Sequence, residues 1–298
     1  MVEGGKGEGG VPVFSAGRTL RGRARNPYSD REVLKAQKLL VHETTNALRG
    51  HPAVWAWDLG NRPSNLIRPP SRDSARAWLE EMTTEFKRWN SSIPITMGIG
   101  EEDLEEARIP GPRDLAPYCD LLFIHVDPAR AKWADGPMDE KAPLFLGLMA
   151  RWLGGKEVWV GDLGVPTEPF IPCLAPSDRQ RLGGTRLVEE SRAKDFYQKS
   201  LDLLKRYGIR GALARCWADY DSPLWDKPPL DRQVAERFCG LFRADGTAKP
   251  TAYLLRDYPR ERTSGGVSWE WVDIRPEEYY ENPSLQMARL YRRFKDRL

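Results

Sequence analysis

Two hydrophobic rhythms alternate along this chain. Short consecutive apolar runs, bounded by Gly, Pro, Asn or Asp, are followed by longer stretches whose apolar positions return every three or four residues. The first rhythm reads as buried strand and the second as amphipathic helix. Strands are predicted at Val11–Ser15, Ala53–Leu59, Ile93–Met97, Leu121–His125, Glu157–Gly161 and Gly211–Trp217. Helices are predicted at Arg31–Leu48, Ser74–Trp89, Glu101–Ala107, Lys141–Leu153 and Arg186–Tyr207. In the first helix Val33, Leu34, Leu40, Val41 and Leu48 fall roughly on one face. Apolar strands alternating with amphipathic helices predict parallel βαβ units.

The texture changes after Trp217. A proline-rich loop spans Pro223–Pro229, and Ala-Asp-Gly-Thr marks a turn within a hairpin over Phe238–Lys249. A helix over Thr251–Arg256, a polar linker over Arg260–Gly266 and a short strand over Trp269–Ile274 follow. A final helix, Pro283–Leu298, is expected to pack through Leu285, Ala288, Leu290, Tyr291 and Phe294. The chain thus divides into a glycine-rich tail (1–10), an α/β body (11–260) and a C-terminal extension (261–298) that packs on it. Six strands suit a doubly wound sheet and fall short of a closed eight-stranded barrel. No G-x-G-x-x-G or G-x-x-x-x-G-K-[ST] stands at a strand–helix junction, which argues against a dinucleotide or P-loop sheet.

Composition narrows the chemistry. Lys and Arg number 46 against 43 Asp and Glu, too even a balance to argue for nucleic acid. Cys119, Cys173, Cys216 and Cys239 are far apart, and His42, His51 and His125 are the only histidines, so neither a zinc cluster nor a disulfide framework is expected. No metal or cofactor is expected. No apolar run approaches ~20 residues, so no membrane span is expected. The N-terminus lacks the apolar core of a signal peptide, which places the sequence as it stands in the cytoplasm with reduced thiols.

Polar residues gather where the strands end. Asn61-Arg62-Pro63 follow Trp55-Ala-Trp57-Asp58-Leu59-Gly60, and Asp127 follows His125-Val126. Asp162-Leu163-Gly164 follow Val158-Trp159-Val160-Gly161, and Asp219-Tyr220-Asp221 follow Trp217-Ala218. In an α/β barrel the carboxyl ends of the strands face one common site. Aromatic, carboxylate and amide groups together suit a sugar: aromatic faces stack on C–H surfaces and polar groups bind hydroxyls. Trp55 and Trp57 read as core, and Asp58 as buried and hydrogen-bonded.

From these motifs the chain resembles the retaining glycoside hydrolases of clan A, family 5 in particular, the cellulase and mannanase type. HPAVWAWDLGNRPS looks like that family's fourth strand, which ends in Asn-Glu-Pro with Glu as general acid/base. Here the Asn is Asn61 and the Glu position is Arg62. KEVWVGDLGVPTEP resembles the seventh strand, whose nucleophile Glu stands at Asp162. His125 resembles a sixth-strand His, with Val126 in place of the Tyr of the family's His-Tyr pair. Trp217 resembles the eighth-strand aromatic that lines the sugar subsite.

The resemblance implies a (β/α)8 TIM-barrel type fold, incomplete here at about six βα units, with Val11–Ser15 as the third strand and the first two units absent. It implies a β-linked oligo- or polysaccharide as ligand, contacted through Asn61, His125, Trp217 and Asp219.

The two substitutions bear directly on catalysis. A retaining glycosidase needs two carboxyl groups about 5–5.5 Å apart, one as nucleophile and one to give and then take a proton. An arginine holds its proton to about pH 12 and can do neither. Asp162 keeps the charge and loses one methylene of reach. The expectation is therefore a homologue with hydrolysis lost or strongly reduced and carbohydrate binding retained. One alternative is an altered glycosidase using Asp162 with a carboxylate such as Asp127, Glu168 or Asp219. Another is a structural or subunit protein completed by a partner, including a homo-oligomer that covers open sheet edges. Arg62 itself reads as a structural partner for a carboxylate.

Overall fold

The computed structural model describes residues 25–169, 187–259 and 266–298. The predicted strand Val11–Ser15, the 1–10 tail and most of the 260–266 linker lie outside the described residues. Helix α1 (Arg31–Ala47) starts where Asp30 accepts the backbone N–H groups of Glu32 and Val33. β1 (Trp57–Asn61), α2 (Arg72–Trp89, capped by Ser71), β2 (Ile95–Ile99), α3 (Glu101–Glu105), α4 (Pro112–Leu115) and β3 (Leu122–His125) follow. Next come α5 (Ala142–Gly154), β4 (Val158–Leu163), α6 (Glu190–Arg206) and β5 (Gly211–Ala214). The five strands form one sheet in chain order, β1-β2-β3-β4-β5. β1 pairs β2 and β2 pairs β3 in parallel. Chain-order parallel strands with intervening helices are the barrel-type α/β plan.

Contacts divide the chain into two compact units. Among the described residues, the first comprises those of 25–125, Gly147–Trp159 and Asp273–Leu290, and the second those of Val126–Leu146, 160–169, 187–259, 266–272 and Tyr291–Leu298. In the first, Val41 of α1, Phe86 of α2, Trp57 of β1 and Ile95 of β2 close one apolar cluster. Trp57 is buried, but Trp55 is 46% exposed, its ring 4.4 Å from that of Trp159. Trp55 is therefore not core: β1 begins two residues after it. Asp58 is exposed rather than buried, although its Oδ1 accepts from the Gly60 and Gly98 N–H groups. α8 (Pro276–Glu281) is fastened to this unit by the Tyr279 hydroxyl, which donates to the Leu104 carbonyl at 2.8 Å.

In the second unit Trp133, Phe145, Trp271, Tyr291 and Phe294 pack edge-on and tilted, with ring centres 4.9–5.5 Å apart. Trp271 reaches this cluster from a turn, with the Val272 N–H on the Trp269 carbonyl, so the strand predicted over Trp269–Ile274 is absent. The last helix, α9 (Pro283–Lys295), buries Met287, Leu290, Tyr291 and Phe294, and leaves Leu285 58% exposed. Its packing stripe is the strict i, i+3, i+4, i+7 row starting at Met287, not at Leu285.

The predicted strand Gly211–Trp217 breaks at Arg215. β5 stays in the main sheet, while β6 (Cys216–Ala218) pairs in parallel with β7 (Gly240–Phe242) as a separate two-stranded sheet. The chain turns back after β7 through Asp245 and Gly246, with Phe242 bridging Ala248, and enters α7 (Pro250–Asp257).

Candidate functional site

At the end of β1 the backbone of Arg62 is left-handed (φ 46°, ψ 52°). That conformation costs a non-glycine residue roughly 1–2 kcal/mol. It is held by the Arg62 N–H on the Gly98 carbonyl at 2.8 Å and by the Asn65 N–H on the Arg62 carbonyl at 3.1 Å. The side chain, 13% exposed, meets the carboxylate of Glu101 at 2.5 Å and that of Glu102 at 3.6 Å. Both glutamates lie in α3, which opens two residues after β2 ends. Glu102 also accepts from the Asn65 amide, and Arg108 donates to the Asn65 side-chain oxygen at 2.7 Å. The Ser64 hydroxyl donates to Asp103 at 2.5 Å, and the Gly100 N–H donates to Asp103 at 2.7 Å.

The loop carrying Arg62 is thus tied to α3 at three successive acidic residues. Burial pushes the Asp103 carboxyl up to about 6; the Ser64 and Gly100 hydrogen bonds pull it down, Glu102 pushes it up, and Arg108 pulls it down.

Asn61 pairs with Gly98 across β1 and β2 and is exposed. His125, at the end of β3, is 4% exposed, with Phe123 at 5.5 Å. A Cβ on Gly98 would lie 2.3 Å from His125 Nε2, so residue 98 must lack a side chain for the imidazole to sit there.

In the second unit Asp162 is also left-handed (φ 51°) and half-buried in β4. The next residue, Leu163, offers its carbonyl to the Tyr197 hydroxyl at 2.5 Å and to the Arg215 N–H at 3.1 Å. Arg215 bonds Asp127 at 3.3 Å and pairs with Glu236. Burial raises the Cys216 thiol, helped by Glu236. Burial also pushes the Cys239 thiol up to about 12, while Arg215 pulls it down.

Trp217 is 74% exposed, its ring 4.7 Å from that of Phe242. Asp219 is joined to the buried ammonium of Lys249 at 2.7 Å, and Lys249 also donates to Thr167 Oγ1 at 2.7 Å and to the Phe238 carbonyl at 3.2 Å. Glu168 is exposed.

The candidate residues are divided between the two units. Asn61, Arg62 and His125 belong to the first unit, and Asp162, Trp217 and Asp219 to the second. Sequence reasoning missed Glu101 and Glu102 as partners of Arg62, and Lys249 and Arg215 as partners of aspartates. The five acids of GEEDLEE were visible, but nothing local reveals that four of them, Glu101, Glu102, Asp103 and Glu105, turn inward. Among the described residues no group of three or more His, Cys, Asp or Glu could hold a metal ion, and no helix is long and apolar enough to cross a membrane.

No protein-family profile and no curated protein matches the sequence. Solved structures do. The GH5_18 protein of Streptomyces cattleya, as a variant in complex with Manβ1-4GlcNAc, superposes with a TM-score of 0.63 at 19% identity, over 81% of this chain and 58% of that one. The same protein in complex with GlcNAc gives 0.60 at 17% identity, over 80% and 57%. The β-glucuronidase of Ruminococcus gnavus gives 0.56 at 20% identity, over 77% and 36%. The chain spans less than two thirds of each of these neighbours. Likeness at such identity speaks of the fold alone, and that fold is the α/β TIM-barrel type of glycoside hydrolases.

Proposed function

We propose that this chain is a glycoside-hydrolase homologue that holds a β-linked oligo- or polysaccharide while its hydrolysis is lost or strongly reduced. The observation that carries this reading is the Arg62–Glu101 pair. Residue 62 follows Asn61 where the resemblance puts the proton-donating glutamate. A guanidinium there cannot give up a proton at any physiological pH. Glu101 is held against that guanidinium at 2.5 Å. The proton-transfer contribution forfeited is about 10²–10⁴-fold.

The sugar contacts carried over by resemblance are Asn61, His125, Trp217 and Asp219, with Asp162 at the nucleophile position. Solved neighbours with this fold hold Manβ1-4GlcNAc, GlcNAc or D-glucuronic acid.

An altered glycosidase working through Asp162 would need a second carboxylate. Of the three carboxylates named for that role, Asp127 and Asp219 are each bound to a cation, which favours the non-hydrolytic reading, and Glu168 is the exposed one left to serve it. Incubation with an activated 2-fluoro β-glycoside followed by intact-mass measurement tests this. No mass increase is expected. A stoichiometric adduct that maps to Asp162 would establish a working nucleophile and overturn the proposal.

A further inference from the structure

We propose that the outer flank of α1 is the interface through which two copies of this chain pair, their α1 helices lying antiparallel about a two-fold axis at Leu40. The pairing is independent of the sugar-binding reading and rests on α1 and β1, both within the first unit.

α1 carries two apolar stripes. The first is used inside the unit: Val41 and Thr45 are buried, and Val41 meets Trp57, Phe86 and Ile95. On the side toward α2, Gln37 accepts the Trp78 indole N–H at 3.0 Å, Lys38 pairs with Glu81, and the His42 ring lies 4.3 Å from that of Trp89. Leu40 stands two positions from both Lys38 and His42. At about 100° per residue it points about 160° away from each, to the flank opposite α2.

The second stripe runs along that flank. Val33, Ala36, Leu40, Thr44 and Ala47 recur at steps of three and four, the spacing of one helix face. Leu40 is 67% exposed, Ala36 and Ala47 are exposed, and Val33 and Thr44 are half-buried. Leu39, at the margin of the stripe, is 60% exposed. Single apolar residues at a surface are ordinary, but a contiguous apolar row along nearly a whole helix marks a face that is covered by something.

The pattern itself identifies the occupant. β1, the end strand of the main sheet among the described residues, offers a poor edge to an incoming strand. It has five residues, its register with β2 shifts between Asp58 and Asn61, and the exposed Asp58 carboxylate holds the Gly60 N–H. Short length, a bulge and an exposed charge are what keep an edge from pairing, so the flank suits a helix rather than a further strand–helix unit. The stripe is also its own complement. With two copies antiparallel about Leu40, Leu40 meets Leu40 of the second copy, Val33 meets Ala47 and Ala36 meets Thr44, a larger side chain against a smaller one at each off-axis level.

Direction follows from charge. In a parallel pair Glu43 would stand at the level of Glu43 of the second copy, two like charges together. In the antiparallel pair Glu43 stands at the level of Gln37 and Glu32 at that of Leu48, and the helix dipoles run head to tail.

A single pair of helices falls at the low end of interface sizes, below ~1,200 Å², where association is weak. Sedimentation equilibrium of the full chain should therefore show a reversible monomer–dimer equilibrium with Kd on the order of 10–100 μM. Leu40→Glu, which sets two carboxylates on the axis, should weaken it at least about tenfold. It should leave thermal unfolding of the dilute protein unchanged, because Leu40 is exposed in the single chain. Mild oxidation should join Leu40→Cys to its own copy, beyond any crosslinking of the parent chain. Glu43→Cys, about 9 Å from its equivalent along the axis, should not be joined.

A monomer at concentrations about tenfold above that Kd would overturn the proposal. A dimer that survives Leu40→Glu would overturn this face. A Leu40→Glu protein that unfolds at lower temperature with no change of mass would show the stripe covered within its own chain, which overturns the pairing likewise. Crosslinking of Glu43→Cys in place of Leu40→Cys would overturn the antiparallel arrangement.

Discussion

Arg62 and Glu101, thirty-nine positions apart, meet as a nearly buried ion pair at 2.5 Å, joining the end of β1 to the first residue of α3. The pair explains how a strained backbone and a cluster of buried acids coexist in one loop. The guanidinium balances Glu101 and Glu102, and Ser64 and the Gly100 N–H serve Asp103. Removing one member of such a pair leaves an uncompensated buried charge, which typically costs about 3–5 kcal/mol.

Arg62→Ala is therefore expected to lower the urea-unfolding free energy by about 3–5 kcal/mol. Arg62→Glu, which would restore the carboxylate of the resembled enzymes, should be worse, because it sets three carboxylates together. Arg62→Glu with Glu101→Gln should recover much of the loss. If Arg62→Glu is as stable as the parent chain, the pair is not what holds this loop.

The Asp103 carboxyl, raised by burial to about 6 against an ordinary 3.8, gives the fold a pH dependence of definite sign. Between about pH 4 and pH 6 the unfolded chain has lost this proton and the folded chain still binds it. The contribution is fully present below about pH 4 and is lost as pH rises through about 6. Each tenfold weakening of the acid on folding corresponds to about 1.4 kcal/mol, so the fall is about 3 kcal/mol. Stability curves of the parent and Asp103→Asn should diverge across that window, and carboxyl NMR should place the midpoint near 6. A midpoint near 4 would contradict the burial of this group.

Gly98→Ala should displace His125, because the added methyl would stand 2.3 Å from Nε2 and 3.0 Å from Cδ2 of the ring. Overpacking of this kind costs about 1–3 kcal/mol. Thermal unfolding and the His125 imidazole resonances check it. An unchanged imidazole spectrum would mean that the ring does not occupy this position.

How much of this was legible in the sequence differs from element to element. The α/β alternation was, because buried parallel strands are nearly continuous apolar runs and the helices between them are amphipathic. α1 starts where it is predicted, just after Asp30, whose side chain accepts the first free N–H groups, whereas α2 starts at Arg72, two residues before the predicted Ser74, because Ser71 accepts the Ser74 N–H. The strand at 53–59 is displaced to Trp57–Asn61 because an apolar run marks burial without marking where pairing begins. Gly211–Trp217 reads as one strand, yet Arg215 turns aside to Asp127 and Glu236, partners 88 and 21 residues away. The same blindness hides Arg62–Glu101 and Lys249–Asp219: charge pairing across the fold leaves no local period to read.

Lys249→Met should expose the worth of the second buried pair. Asp219 would remain buried without its cation, at a cost of about 3–5 kcal/mol. Lys249→Met with Asp219→Asn should regain most of that, since neither change then leaves a lone buried charge. Chemical denaturation of the parent and the two variants measures it, and equal losses in the single and double variants would show that the ammonium is held mainly by Thr167 and Phe238.

The most direct measurement of the central claim is steady-state turnover of aryl β-glucosides, β-mannosides and β-glucuronides by the purified full chain across pH 4–8. Turnover at least about 10³-fold below the ~1–10³ s⁻¹ of ordinary enzymes is expected for every substrate, together with saturable binding of the corresponding unreactive sugars. A kcat within the ordinary range on any of them, abolished by Asp162→Ala, would contradict the loss of hydrolysis.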